Sequence, residues 1–510
     1  MTPPLLAALA ATLALAGAGS GREPERAATL VQLQPRAACT EAAPLLAAGA
    51  TEVARGLRLY RLPAGSEATV ERLRARGALQ HAERERPLGT LSTFSDPLSL
   101  ADDWWRVAIG ADGLVPPGPG KPVTIVDSGL SLGHPEFAGR PDTLALNPQE
   151  PAPFGGQHGT GVASLIGAPA NGVGIVGVYP QAVLRSWDAA LGEGRRLETG
   201  DIVAGIAAAA RQGPGVINLS LGTDERSASL EEAVNEAVRR GSLVVAASGN
   251  DGDRGNPLLY PASLPHVLTV GAVGRGGAVA PFSSRSRWVD LVAPGDDVTV
   301  ADALAGDYVS SSGTSFAAPL VSGAAAWVWT ARPELDNTQL FELLRRSTTD
   351  IGAPGRDLDS GFGLLNVRSA LAFPAPAADP LEPNDDIDEV RPGYGLAALT
   401  SRSTPLARIT ARLDVWEDPR DVYRVWQPAR AVLVLSTGAA EDVDLSAWSE
   451  AAFSVAQQAD RARLAVSARP GRGNERARVA AAPRGRWVYV AVTRGRSVAE
   501  AEYRLAITPR

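Results

Sequence analysis

Cysteine occurs once in the 510 residues, as Cys39, so an intramolecular disulfide framework and a CxxC metal cluster are both excluded. Lysine also occurs once, as Lys121, in a Gly120-Lys121-Pro122 setting without the upstream glycine or the Ser/Thr of a nucleotide-binding loop. Schiff-base and phosphate-loop chemistry therefore have no second place to go. With four histidines and no HExxH, a zinc hydrolase would lack its ligands. A basic surplus is missing too: 49 Lys+Arg stand against 56 Asp+Glu, for a net charge of −7. That leaves no stripe for neutralising phosphates and argues against nucleic acid as a partner. No segment reaches the ~18 uninterrupted apolar residues of a membrane span. The longest candidate, 316–330, contains Pro319, Ser322 and Gly323 and reads as a buried helix.

The composition, 45% hydrophobic and 21% charged, is that of a globular protein, and at roughly 150 residues per domain the length predicts about three units. The first is preceded by a leader. An apolar run over 5–16 ends in Ala16-Gly17-Ala18, an A-x-A cleavage signal, so 1–18 reads as a secretory signal peptide although its start has no Arg or Lys. Segment 19–95 is Arg/Glu-rich, with a strand at 57–60, a helix at 67–76 and a weaker strand at 80–83, a small α+β unit. From 96 to 372, apolar runs at 123–126, 183–187, 216–219, 243–247 and 267–270 alternate with helical stretches, which predicts βαβ units on a parallel sheet. One helix is expected to open on a Ser229/Glu232 capping box and to stop at Gly241, with Leu230, Val234 and Val238 as its apolar stripe. A Pro/Ala-rich linker, 373–383, leads to 384–510, where alternating runs at 422–425, 431–435, 463–466, 487–492 and 502–507 predict an antiparallel β-sandwich.

Ligands of an open parallel sheet gather at the carboxyl ends of its strands. Here those ends read Asp127-Ser128-Gly129, Ser220-Leu221-Gly222 and Ser248-Gly249-Asn250. Two helix starts add reactive groups, Gln157-His158-Gly159-Thr160-Gly161 and Gly313-Thr314-Ser315-Phe316-Ala317-Ala318-Pro319. A hydroxyl nucleophile needs a base, a group orienting that base, and donors for the oxyanion, and Ser315, His158, Asp127 and Asn250 are of the required types.

These motifs, in the order Asp, His, Ser, resemble those of the subtilisin-like serine peptidases. The resemblance runs from about Asp96 to Leu371 and takes in 217–222, 247–250, Tyr260-Pro261-Ala262, 282–284, 293–295 and 361–363. It implies an α/β fold: a three-layer catalytic domain on a parallel sheet, an α+β pro-region before it and an all-β sandwich after it. It implies a catalytic triad of Asp127, His158 and Ser315, and an oxyanion hole of the Asn250 side chain and the Ser315 backbone N–H. An extended polypeptide substrate would pair with Ser220, Leu221 and Gly222, and Ser248, Gly249 and Leu259 would line the primary specificity pocket. Leu259 stands where glycine is common in the family, which implies a short pocket and small P1 residues. Gly161 stands where many relatives carry a second histidine, a departure that implies no defect. No cofactor is needed for the chemistry; structural calcium is allowed, with the loop around Asn171 as its usual region. The pro-region would inhibit the enzyme until self-cleavage between 87 and 95, and the product would be a secreted, monomeric bacterial endopeptidase.

Other readings of the same residues carry less. His134, in Gly133-His134-Pro135-Glu136, belongs to a loop the family shares without catalytic duty, and His266 and His81 are read as packing or surface residues. The GxGxxG match at 172–177 follows a helix and precedes a strand, the inverse of a dinucleotide site. Gly313-Thr314-Ser315-Phe316-Ala317 is not a GxSxG elbow, which argues against an α/β-hydrolase esterase. A lipid anchor at Cys39 would want an apolar residue in place of Arg36. The C-terminal segment, with Leu381-Glu382-Pro383-Asn384-Asp385-Asp386, Asp421-Val422-Tyr423 and Asp442-Val443-Asp444, resembles the prepeptidase C-terminal sandwich of secreted bacterial peptidases. Its acidic groups are read as turn caps in preference to calcium ligands. The competing function is an inactive subtilase scaffold serving as a secreted binding or adhesion protein; four intact site residues argue against it.

Overall fold

The computed structural model describes residues 29–54, 58–63, 65–84, 96–149, 157–190, 196–304, 307–393, 396–456 and 460–510. The expected signal peptide and the expected cleavage segment at 87–95 lie outside them. The chain divides into two compact units, Met1–Leu91 and Ser92–Arg510.

In the first unit, β1 (Thr29–Leu33), α1 (Pro35–Ala47), β2 (Thr51–Ala54), β3 (Leu59–Leu62), α2 (Glu67–Ala75) and β4 (Leu79–Arg84) follow one another. The sheet order is β2-β3-β1-β4, with antiparallel neighbours, the split βαβ arrangement of ferredoxin-like units. Val31, Leu33, Leu45, Leu62 and Leu73 form its core. The strand expected at 57–60 lies at Leu59–Leu62, and α1 was not foreseen. Its sequence starts on Pro35, which suits a first helical turn, but also holds Pro44, which reads as a breaker.

The second unit opens with α3 (Pro97–Asp102) and α4 (Trp104–Ala108). It is built on a sheet of β5 (Pro122–Asp127), β6 (Thr143–Ala145), β7 (Val183–Asp188), β8 (Val216–Leu219), β9 (Leu243–Ala247), β10 (Val267–Val273) and β11 (Leu291–Pro294). The order is β11-β10-β9-β8-β5-β7-β6 and every pairing is parallel. Strands β8 to β11 are buried along their whole length, which is why they appear in sequence as continuous apolar runs without alternation. On one face lie α6 (Thr199–Arg211) and α7 (Ala228–Arg239); on the other lie α5 (Gln157–Gly167) and α8 (Thr314–Ala331), which follows the hairpin β12 (Val298–Asp302) and β13 (Asp307–Ser311). The three-layer α/β expectation is met. The cap of α7 is a correction: Ser227, not Ser229, accepts from the Leu230 amide, and Glu232 pairs with Arg239 two turns on.

After α9 (Asn337–Arg346) and α10 (Val367–Ala372), two four-stranded antiparallel sheets stack on a common core. One is β14 (Ala407–Asp414), β21 (Glu500–Pro509), β16 (Leu433–Ala439) and β19 (Arg476–Val479); the other is β15 (Arg420–Gln427), β20 (Arg486–Arg494), β17 (Val443–Ser449) and β18 (Arg463–Ser467). Leu413, Tyr423, Leu435, Leu445, Val490 and Leu505 belong to that core, and β17 and β21 alternate buried with more exposed residues, the period-2 signal that predicted a sandwich.

The sandwich meets the α/β layers across a charged seam. Arg345 of α9, buried, reaches Glu342 and Asp290 on its own side and Asp414 (2.7 Å) and Glu417 (3.6 Å) of the sandwich. Phe362 and Trp416 add an edge-to-face ring contact at 5.2 Å.

Candidate active site

Three sheet ends and two helix starts converge at the carboxyl edge of the parallel sheet. Asp127 closes β5 and is buried; His158 is the second residue of α5. His158 Nδ1 lies 2.8 Å from Asp127 Oδ1 and 3.0 Å from Oδ2. The Ser128 amide donates to Asp127 Oδ1 at 2.7 Å, which fixes the carboxylate plane before the imidazole meets it. The negative Asp127 raises the His158 pKa above the usual imidazole value, against an opposing contribution from burial.

The turn and the helix start meet through their glycines. A Cβ on Gly159 would lie 2.1 Å from the Gly129 carbonyl oxygen, and Gly129 itself has φ +88° beside Asp188. Only a residue without a side chain lets α5 come this close to the end of β5, which explains the Asp-Ser-Gly and His-Gly spellings physically.

Ser315 is the second residue of α8, the helix predicted at 316–330 as buried. Its Oγ donates to the Ser220 carbonyl at 3.3 Å. In return Ser220 Oγ donates to the Ser315 carbonyl at 2.8 Å. Pro319, four residues on, has no N–H to offer that carbonyl, so the helix leaves it free for Ser220. Asn218, Ser220 and Ser322 continue the network into the core, at 3.0 and 2.8 Å.

Asn250 is exposed, and its side chain is oriented by its oxygen: Oδ1 accepts from the Thr314 amide at 2.8 Å and from Thr314 Oγ1 at 3.0 Å. The Nδ2 end is thereby turned away from Thr314 as a donor. Thr314 Oγ1 also accepts from the Gly249 amide at 3.1 Å, so one hydroxyl aligns two walls of the cleft. The role of Thr314 was not foreseen; a hydroxyl directly before Ser315 was its only trace in sequence.

Ser220, Leu221 and Gly222 lie along the edge that runs out of β8, and backbone bonds between Thr223 and Tyr260 (2.9 and 2.7 Å) hold the opposite wall to it. Leu259 sits between the walls. A methyl on Gly249 would meet Leu259 Cδ1 at 2.3 Å, and one on Gly222 would meet its Cβ at 3.6 Å. Leucine thus fills the space beside Gly249 and Gly222. Ser248 is buried beside them.

His134 is buried away from this cluster, with Nε2 3.2 Å from the Asp307 carbonyl and Nδ1 accepting from the Glu136 amide. His266 lies against the sandwich, 3.0 Å from Asp385.

Near Asn171, Asp96 Oδ1 accepts from the amides of Asn171, Gly172 and Val173. Asp96 Oδ2 and Glu136 Oε2 are buried there without a hydrogen-bond partner, and burial pushes the Glu136 carboxyl up to about 7. Glu136 Oε1 accepts from the Ile175 amide at 2.9 Å and from the Tyr308 hydroxyl at 2.7 Å, so each of the two carboxylates is held by one oxygen.

Known proteins resemble this chain over its α/β part. Residues 118–363 match the subtilase family. The chain is 39% identical over 255 residues to subtilisin BL of Lederbergia lenta, an overlap that spans 50% of this chain and 91% of that protein. It is 36% identical over 253 residues to subtilisin of Bacillus pumilus, spanning 49% and 90%. Among solved structures, fervidolysin of Fervidobacterium pennivorans, a keratinolytic enzyme related to subtilisin, covers 89% of this chain and 69% of its own at 21% identity and TM-score 0.50, a likeness of fold.

Proposed function

The chain belongs to the subtilase family of serine peptidases, and from that premise we propose that Asp127, His158 and Ser315 carry peptide-bond hydrolysis in an endopeptidase made for export. The single observation that carries the assignment of residues is the short His158 Nδ1 to Asp127 Oδ1 contact, 2.8 Å, at a sheet edge shared with Ser315. With Nδ1–H held by the carboxylate, Nε2 is the lone-pair nitrogen. Ser315 Oγ turns from the Ser220 carbonyl to that nitrogen, gives up its proton and attacks the scissile carbonyl. The imidazolium then protonates the leaving amine, and water enters by the same route in reverse to release the acyl group. Asn250 Nδ2 and the Ser315 amide donate to the oxyanion.

The substrate lies extended along Ser220, Leu221 and Gly222, adding a strand whose backbone bonds give affinity without regard to side chain. Selection falls to the primary pocket, where Leu259 leaves room for a small P1 residue. The ferredoxin-like first unit is read as a pro-region that acts as an intramolecular inhibitor, and the leader at 1–18 as the export signal. A structural cation near Asn171 would be held by Asp96 and Glu136 and would supply loop rigidity; the chemical steps above are carried by groups of this chain acting on substrate and water.

The deciding experiment sets the intact chain beside Ser315→Ala, with casein, an active-site serine reagent and N-terminal mass spectrometry. Casein cleavage, labelling and a shortened N-terminus in the intact chain alone are expected. A folded intact chain that stays inert and full-length would return the reading to a scaffold with a binding role.

A further inference from the structure

The outer face of the sheet β15-β20-β17-β18 is covered along part of its length only. Val422, Tyr489 and Ala491 pack there with Ile387 and Val390 of the segment that enters the sandwich. Past them the cover stops, and the outward residues of β15 and β20 are Arg424, Trp426 and Trp487, all half-buried. Trp426 and Trp487 stand opposite one another in the register and meet edge to face at 5.2 Å. Each indole carries a guanidinium. Arg424 Cζ lies 4.0 Å from the centroid of Trp487, and Arg402 Cζ, from the loop preceding β14, lies 4.8 Å from that of Trp426. The turn before β20 closes on the same pair, since a Cβ on Gly485 would meet Trp426 at 2.4 Å.

The charge around this ladder is of one sign. No acid occurs in 390–413, 422–440 or 476–499, the stretches that hold Arg402, Trp426 and Trp487, although the chain as a whole is acidic. Arg430 and Arg484 are exposed on two turns tied by the Arg430 amide to the Ala482 carbonyl at 2.7 Å. Arg486, next to Trp487, gives its Nε–H to the neutral Gln427 Oε1 at 2.8 Å. Among the described residues, Arg402, Arg424, Arg430 and Arg484 form no ion pair, and Arg424 Nε is buried with no acceptor. The field at Tyr489, opposite Arg424, comes from Arg424 and Arg391 and, with the other sign, from Glu450 just past β17. A guanidinium laid on an indole has its plane fixed and its N–H edge clear of the ring, so its forked donors lose little freedom when an oxyanion arrives. Stacking explains where these arginines lie; it leaves their donors and their mutual repulsion unanswered.

We propose that this Arg–Trp face of the sandwich docks an acidic polysaccharide, a polymer of uronate carboxylates, and tethers the peptidase to it. Charge complementarity selects a polyanion, and carboxylate is the planar group that a fixed guanidinium fork receives in two parallel bonds. Each indole already carries a guanidinium, so bases find no free ring to stack on, which argues against single-stranded nucleic acid. An acidic polypeptide would be consumed. The choice of a polysaccharide rests in this respect on the endopeptidase reading above, since a lasting tether must be a polymer that the cleft does not cut. The face itself is made by the sandwich alone, and no residue of the triad or of the primary pocket takes part in it.

The test uses the full chain carrying Ser315→Ala, which keeps binding apart from cleavage, titrated by calorimetry with hyaluronan as a soluble polyuronate and with dextran as its neutral counterpart. Beside it stand the same chain with Arg402→Gln/Arg424→Gln, and with Arg211→Gln/Arg240→Gln, which removes as much charge from the ends of α6 and α7. The parent and the helix-end variant should bind hyaluronan alike, more weakly as salt is raised, and neither should bind dextran. The ladder variant should lose about tenfold or more in affinity while its near-UV circular dichroism stays that of the parent. Should it fail to fold, Arg430→Gln/Arg484→Gln, at exposed positions, carries the comparison. A folded parent that ignores hyaluronan, equal loss in the ladder and helix-end variants, or tighter binding of polyglutamate or single-stranded DNA than of hyaluronan would overturn the proposal. Casein cleavage by the chain with Ser315 intact is read separately: an inert enzyme that still binds hyaluronan through Arg402 and Arg424 overturns the endopeptidase reading and supports the docking face.

Discussion

Ser220 and Ser315 exchange hydrogen bonds: each hydroxyl donates to the other residue's carbonyl, at 2.8 Å from Ser220 and 3.3 Å from Ser315. The edge proposed to bind substrate and the proposed nucleophile are therefore positioned by the same pair of contacts, and Pro319 makes the shorter one available by withholding its own N–H.

Replacing Ser220 by alanine leaves the Ser315 carbonyl without a donor. A loss of about 1–3 kcal/mol in stability is expected from denaturant titration. On a peptide substrate kcat should fall more than KM rises, since the first turn of α8 moves while the backbone edge remains.

The acid limb of activity reports His158. Its pKa is raised by Asp127, and the base must be neutral, so the rate should climb only above the ordinary imidazole range. Asp127→Asn removes the raising charge: the limb should move to lower pH while kcat/KM drops by about 10⁴. The sign is opposite for stability. A folded-state pKa above the unfolded one stabilises at low pH, and that share is lost as pH rises through the folded value. A limb that stays in place in Asp127→Asn would remove Asp127 from this role.

Asn250→Leu keeps the volume and deletes the donor. A fall in kcat of about 10²–10³, a figure drawn from subtilisin itself, with KM little changed is the expected result of steady-state kinetics.

Leu259→Gly should reopen the primary pocket. The ratio of kcat/KM for P1 Phe over P1 Ala is expected to rise by roughly tenfold or more. If the unaltered enzyme already prefers P1 Phe or Tyr to Ala, leucine does not set the pocket depth.

Arg345→Met would remove the guanidinium that Asp290, Asp414 and Glu417 share, leaving Arg412 at 3.6 Å from Asp414. Breaking such a cluster costs about 3–5 kcal/mol, and calorimetry should find the sandwich and the α/β layers melting apart.

The candidate site was legible in sequence because its parts are local. Asp127-Ser128-Gly129 and His158-Gly159 are spelled by a single close approach between neighbouring backbones, and the strands behind them are largely apolar, so each announces itself over a few residues. Thr314 and the carbonyl of Ser315 were not legible: their importance depends on Asn250, Ser220 and Pro319 meeting in space. The seam was hidden more deeply. Arg345 lies 69 positions from Asp414, and His266 lies 119 from Asp385, so in sequence they are ordinary polar residues of a helix, a turn and a linker. Helix α1 was missed for a composition reason, an internal Pro44 that tertiary packing of Leu45 overrides.

Helix α8 carries Ser315 at its mouth and is buried from Phe316 to Trp329. Its amide protons can reach solvent only when the surrounding layers part, so the nucleophile should sit on one of the slowest-exchanging elements of the molecule. A molecule nicked in a surface loop would keep its attacking group aligned, whereas one that has opened fully would lose it at once and become food for its neighbours. In a population of such peptidases, self-digestion then removes the unfolded and spares the merely worn.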